Sequence, residues 1–300
     1  MKKMRRSILA AFCLVCCAVF GAFPVGAASG VKALCENVSK TKTVSADVTG
    51  DGKKDTIRLK FTGEPDDEWI RETRVDINGK KALSIKDKSY YYSVSLRYIR
   101  MSKSKTFLQI ISHTDNDDHT FNRIYRYDNK KKKLVPALDL YNGGLSTAED
   151  VVKATGKEIQ IRHRLQPEET GWINWKFTYT YKKGIFKLKS STASVKSSLG
   201  RMAAGQDDYG KYFEKNQFIA AKPLTFYTDT SLNKTAFTAR KQDKLTLKKI
   251  KVSGSRVYLQ FQKGKKTGWR RANQSDVYNF KSSDPASTGW FYGVFNRLAG

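Results

Sequence analysis

From Val44 to Leu188 the chain reads as a succession of short extended segments, and this pattern limits its fold more than any other feature. The clearest segment is Trp175-Lys-Phe-Thr-Tyr-Thr-Tyr181, in which aromatic and polar residues alternate. Successive side chains of a strand point to opposite faces, so one face of this segment is buried and the other is wet. Similar runs rich in Val, Ile, Thr, Tyr and Phe predict strands over 56–61, 73–77, 90–97, 106–112, 121–127, 134–140, 158–164 and 185–188. Asp76-Ile-Asn-Gly79 and Asp128-Asn-Lys-Lys131 supply tight connections between them. Regular, short spacing of this kind predicts an all-β domain over residues 31–189, built as a β-sandwich or as an incomplete propeller.

Composition changes at residue 190, where Ser, Ala, Gly and Lys take over, and 190–217 reads as a linker with a short helix near 194–204. A second β-rich unit follows over 218–300. Its runs are Lys222-Pro-Leu-Thr-Phe-Tyr-Thr228, Asp243-Lys-Leu-Thr-Leu-Lys-Lys-Ile-Lys-Val252, Arg256-Val-Tyr-Leu-Gln-Phe-Gln262 and Gly264-Lys-Lys-Thr-Gly-Trp269. This order resembles a bacterial SH3-type domain over about 222–271, and the closing Gly-Lys-Lys-Thr-Gly-Trp is its most specific piece. Gln242-Asp243 departs from the Gly-Asp usual there, and a tail containing Gly289-Trp-Phe-Tyr-Gly293 is extra. The resemblance implies a small SH3-like barrel that attaches exported proteins to the cell wall, often through peptidoglycan peptides, without being an enzyme. On that reading Tyr227 and Trp269 line the groove, where aromatic rings give contact area at low entropic cost. A place for Trp269 in the core is the equal alternative.

Between the strands at either side lies Asp47-Val-Thr-Gly-Asp-Gly-Lys-Lys-Asp55, with three carboxylates and two glycines in nine residues. Hard cations take oxygen ligands at alternate positions of a tight loop. With Asp47 as the first position, oxygens fall at Asp47, Thr49, Asp51 and Asp55, the Lys53 carbonyl takes the seventh, and Gly52 makes the sharp turn. The loop resembles the calcium loop of FG-GAP and VCBS-type repeats, which closes at the ninth position, where Asp55 stands. An EF-hand would require Glu where Arg58 stands, and its flanks would be helical. Thr49 in place of Asn or Asp weakens the site. Asp and Gly are also ordinary turn formers, so a metal-free hairpin loop is the alternative.

The first 27 residues form an export signal: Lys2, Lys3, Arg5 and Arg6, an apolar run over 8–20, and Val25-Gly26-Ala27 as cleavage site. Neither Cys16 nor Cys17 follows the small residue that lipidation requires. Cys13, Cys16 and Cys17 leave with the signal, so only Cys35 remains and no intrachain disulfide can form. An exported chain without disulfides suits a Gram-positive surface, and Cys35 reads as a small buried hydrophobe. The formal charge of +28 falls to about +24 on processing, which predicts adhesion to polyanions. No nucleic-acid motif accompanies it, so specific DNA or RNA recognition is not expected, and processing leaves no transmembrane anchor.

Catalytic signatures are missing: no Gly-x-Ser-x-Gly, no Gly-rich loop ending in Gly-Lys-Ser/Thr, no His-Glu-x-x-His. His113-Thr-Asp-Asn-Asp-Asp-His119 clusters imidazoles with carboxylates and reads chiefly as a polar hairpin loop, with a second cation site as its functional version. Glu64-Pro-Asp-Asp-Glu-Trp69 and Pro167-Glu-Glu-Thr-Gly-Trp172 set carboxylates beside tryptophan, as glycosidase clefts do, and as solvated loops also do. His163, alone in a strand, reads as structural. The sequence thus predicts a non-catalytic, exported envelope protein that binds wall polymer, peptidoglycan or teichoic acid, and carries a structural Ca²⁺. The competing classes are a carboxylate-dependent wall or glycan hydrolase and a charge-driven adhesin for anionic polymers.

Overall fold

A computed structural model describes residues 29–63, 69–114, 119–141, 148–165, 167, 169–197, 211–272 and 289–294; the segment read as an export signal lies outside them. Apart from one helical turn at 211–213, the regular structure is all β. A first antiparallel meander runs β2 (Lys42–Ala46), β3 (Asp55–Gly63), β4 (Ile70–Ile77) and β5 (Lys80–Tyr91). A second runs β6 (Ser93–Ser102), β7 (Lys105–His113), β8 (Asn122–Asp128) and β9 (Lys133–Asp139), and β1 (Gly30–Val38) adds to it beside β6. The third comprises β10 (Ala148–Ala154), β11 (Glu158–Leu165), β12 (Ile173–Lys182) and β13 (Ile185–Leu188).

The connections follow from local chemistry. Between β4 and β5, Asn78 (φ 50°) and Gly79 (φ 79°) are both left-handed, as a two-residue hairpin loop requires. Between β8 and β9, the Asp128 carboxylate accepts bonds from Lys130 N and Lys131 N, each 3.0 Å, and fixes the turn.

Period-two alternation sets the layering. Leu96 and Leu108 on one face of the second meander pack against Ile57, Leu59 and Val75 of the first. Ile99, Met101 and Phe107 on the other face pack against Val151, Ile159, Ile161 and Trp175 of the third. Corresponding strands lie against each other from sheet to sheet, β5 on β9, β9 on β13 and β6 on β10. Antiparallel sheets packed face to face in this way make the all-β fold that was expected.

Two expectations about the second half are corrected. Residues 192–197 are not a linker or helix but β14 (Thr192–Ser197), which pairs with β12 through Trp175↔Val195 and with β18 (Lys244–Ser253) through Ala193↔Ile250. The reason is visible in the segment: Ala193 packs against the core and Val195 is buried within it, two residues apart, which is strand spacing. The sheet then continues through β19 (Arg256–Lys263), β20 (Lys266–Ala272), β16 (Leu224–Tyr227) and β17 (Thr235–Ala239), with β15 (Gln217–Ile219) also on β18. One apolar cluster, from Ile99 to Val294, spans the boundary drawn between the two domains.

The SH3-like barrel is the second correction, because among the described residues none of the sheets closes. The edge of β18 that β17 would need carries β14 and β15 instead. The glycine of Gly-Lys-Lys-Thr-Gly-Trp has a packing role in this arrangement. A Cβ at Gly268 would stand 2.7 Å from Phe226 Cβ and 3.1 Å from the Phe237 ring, two side chains stacked with centroids 4.8 Å apart. Cys35 is buried as expected, and burial pushes its thiol up to about 11, so it stays protonated and unreactive.

A buried amide pair ties the second sheet to the third. Gln109 donates to Asn122 Oδ1 (2.9 Å) and to Glu149 O (2.8 Å), and its own Oε1 accepts from Val151 N (2.8 Å). Asn122 donates to Ala148 O (2.9 Å) and Glu149 O (2.8 Å). These bonds satisfy backbone groups along β10 where it crosses the neighbouring sheet. Gln109→Leu is expected to destabilise the chain by about 2–4 kcal/mol, since it strands buried donors and acceptors of comparable size. Urea melts of the variant check this, and a shift under about 0.5 kcal/mol, the size of an ordinary surface substitution, would refute the tie.

Candidate functional site

The Asp47–Asp55 loop joins β2 to β3, as expected, and is organised by its last residue. Asp55 is 3% exposed. Its Oδ2 accepts from Val48 N and Thr49 N, both 2.8 Å, and its Oδ1 accepts from Asn78 Nδ2 at 2.7 Å and Thr49 Oγ1 at 3.4 Å. Those four bonds occupy the roughly four acceptor positions of a carboxylate. Gly50 (φ 74°) and Gly52 (φ 91°) take the left-handed turns. Asp47 Oδ2 accepts from Gly52 N at 3.1 Å, while Oδ1 is buried without a hydrogen-bond partner. Asp51 is exposed and accepts from Lys53 N at 2.8 Å. As arranged, the loop spends the Asp55 carboxylate on its own hydrogen bonds. Among the described residues no group of three or more His, Cys, Asp or Glu is assembled around a metal position.

Tyr227 and Trp269, far apart in sequence, are brought together. They are register partners on β16 and β20, both half-buried. Trp269 is therefore not a core residue. Register partners share a face, and the row continues across the sheet as Trp269↔Gln260, Gln260↔Lys249 and Lys249↔Ser194, with Thr235 beyond Tyr227. Lys251, Tyr258 and Arg271 form the next row, where Lys251 donates to Thr230 Oγ1 at 2.8 Å. Apolar partners such as Ile250, Phe261, Gly268 and Phe226 occupy the opposite face. Six strands set about 4.8 Å apart make a strip of roughly 24 Å carrying aromatic, amide and cationic groups.

A cleft of about 550 Å³ opens where the second sheet meets β10 and β11, lined in part by Tyr92, Ser95, His113 and His119. His113 Nε2 lies 2.8 Å from Ser95 Oγ, and His119 Nδ1 donates to Ser112 O at 2.7 Å. The rings are 5.4 Å apart. Along one wall runs a ladder of ion pairs. Arg97 Nη2 reaches Glu36 (2.9 Å) and Asp150 (3.2 Å). Arg162 reaches Glu149 and Asp150, both 2.7 Å, and Arg164 reaches Glu149 at 2.7 Å. Arg164 also lies 4.8 Å above the Trp172 ring. Sequence reasoning singled out the two histidines but not their setting, because Glu36, Arg97 and Asp150 come from three separate strands. Only the alternating Arg162-His163-Arg164, with two charges on one strand face, signalled it.

The other candidates separate. Positions 64–68, 115–118 and 168, which include Glu64, Asp66, Glu68, Asp115, Asp117 and Glu168, lie outside the described residues. Glu169 is 3% exposed. His163 sits in the core, stacked on Trp175 with centroids 5.5 Å apart, and burial lowers its pKa to about 3. It is a neutral structural residue, as its lone position in a strand suggested. No helix among the described residues is long and apolar enough to cross a membrane. No protein-family model matches the chain, and neither curated proteins nor solved structures give a match.

Proposed function

We propose that the chain is a non-catalytic, exported protein of a Gram-positive cell envelope that holds wall polymer, peptidoglycan or teichoic acid, on the strip around Tyr227 and Trp269. The observation that carries this reading is the pairing of those two half-buried aromatics across β16 and β20, in a row with Gln260 and Lys249. Aromatic faces pack on the apolar side of sugar rings or on peptide, the amide bonds to hydroxyl or carbonyl groups, and the lysines meet phosphate or carboxylate. The surplus of basic residues, 56 Lys and Arg against 28 Asp and Glu, draws anionic polymer towards that surface. The export segment at 1–27 brings the chain to such a polymer. A Ca²⁺ at Asp47 and Asp51, with Thr49 and the Lys53 carbonyl, belongs to the same reading as a structural ion.

Retention on purified cell walls, measured at low and high salt, tests the proposal. Wild-type retention is expected to survive high salt in part, and Trp269→Ala and Tyr227→Ala to reduce that residue about tenfold. Exposed charge contacts alone are screened within about 10 Å at 0.1 M salt. Binding that vanishes in salt and is unchanged by both substitutions would leave a charge-driven adhesin and remove the strip from the mechanism.

A further inference from the structure

The cleft beside β10 and β11 has a chemistry unlike the rest of the surface, and we propose that it is a binding site for a neutral saccharide of one or two rings. Among the described residues its wall carries three guanidiniums, Arg97, Arg162 and Arg164, and three carboxylates, Glu36, Glu149 and Asp150, whose formal charges cancel. No lysine among the described residues lines it, in a chain whose Lys and Arg outnumber its acids by 28. A site for polyanion would keep the surplus. This one has lost it.

What remains is a dense array of paired donors and acceptors. Arg162 pairs with Glu149 and Asp150 at 2.7 Å each, and its side chain is 48% exposed. An arginine locked to carboxylates in this way presents hydrogen-bonding groups of both kinds at fixed spacing, which suits vicinal hydroxyls, each at once donor and acceptor. Ser95 and His113, held together at 2.8 Å, add a second mixed pair, and Asn37 N is fixed against Ser95 Oγ at 3.1 Å. The apolar side of a pyranose needs a flat ring. Tyr92 supplies it from the cleft lining, backed by Trp69 with centroids 4.1 Å apart and planes inclined at 31°. The volume of about 550 Å³ falls within the ~300–1,000 Å³ of small-molecule sites and admits a disaccharide.

The cleft lining shares no residue with the strip on β16 and β20, so its test is separable from that of wall-polymer retention. Isothermal titration of the full processed chain with three neutral disaccharides, chitobiose, cellobiose and maltose, is the experiment. At least one is expected to bind with a micromolar to millimolar Kd that high salt leaves unchanged. Tyr92→Ala and Arg162→Gln are each expected to weaken it about tenfold or more, and Trp269→Ala to leave it intact. Arg162 is half exposed, so its variant keeps the test valid if the Tyr92 variant misfolds. Absence of binding by all three at millimolar concentration, or binding indifferent to both cleft substitutions, would overturn the proposal. So would affinity that collapses in salt, which would show the cleft to be part of the general cationic surface.

Discussion

Asp55→Ala is expected to cost about 3–5 kcal/mol of stability even in chelator. The carboxylate is nearly inaccessible and accepts four hydrogen bonds, so its removal leaves Thr49 N and Asn78 Nδ2 without their acceptor. Asn78 in turn accepts from Thr56 N at 2.9 Å, so the loss spreads from the loop to the β4–β5 turn. The loop is also a junction between sheets. Tyr98 donates to Asp47 O (2.8 Å) and Thr106 to Val48 O (2.9 Å), both from the second meander, and Asn129 reaches Thr49 O (3.1 Å). Burial, and then the nearby carboxylates of Asp47 and Asp55, push the Tyr98 phenol upward, so it remains a donor at any pH of interest. At roughly 2–4 °C per kcal/mol for a chain of this size, the melting temperature should fall by on the order of 10 °C.

Asp51→Ala separates the two roles of the loop. Its side chain is exposed and bonds only to Lys53 N two residues on, so little folding energy rests on it without metal. A bound Ca²⁺ stabilises the native state by mass action, and losing it costs about 2.7 kcal/mol at a hundredfold excess over Kd. Asp51→Ala should therefore lower the melting temperature in calcium and leave it unchanged in chelator. Equal loss in both conditions would remove the metal. Equal melting of Asp55→Ala and wild type would remove the hub.

The all-β fold was legible because strand formation here is written locally. The alternation in Trp175–Tyr181, the Asn78-Gly79 turn and the Asp128 cap each act through neighbours within a few residues. The arrangement of the C-terminal strands was not legible, since it depends on which strands occupy the second edge of β18. Ala193 and Val195 decide that from a segment whose small residues read as linker. Tyr227 and Trp269 were legible as candidates but not as register partners. The cleft was hidden for the same reason: its charges cancel only when Glu36, Arg97, Asp150 and Arg162 are brought together from β1, β6, β10 and β11. Charge balance is a property of a place, and sequence lists charges without places.

His163 makes the protein sensitive to acid over a range in which surface histidines do nothing to stability. Its ring is packed among Trp175, Phe177 and Tyr179, whose hydroxyl is 3.4 Å from Nε2, and burial holds its folded pKa at about 3. In the unfolded chain the same imidazole titrates near 6.5. Between those values the unfolded state binds a proton that the native state refuses, so stability is full above about pH 6.5 and falls as pH drops towards 3. The slope is about 1.4 kcal/mol per pH unit, and the loss reaches on the order of 4–5 kcal/mol at the bottom of the window. Asp76 adds to acid lability lower down: burial opposes its ionisation, but bonds from Lys60 and Arg74 override it and hold the carboxyl below its ordinary value. His163→Phe isolates the histidine, because a similar ring fills the site and carries no proton. Chemical denaturation of wild type and variant between pH 7 and pH 4.5 should diverge in slope, the variant remaining flat where the wild type declines. Parallel profiles would mean that the core opens to admit the proton, and that the packing around Trp175 is looser than the stacked rings indicate.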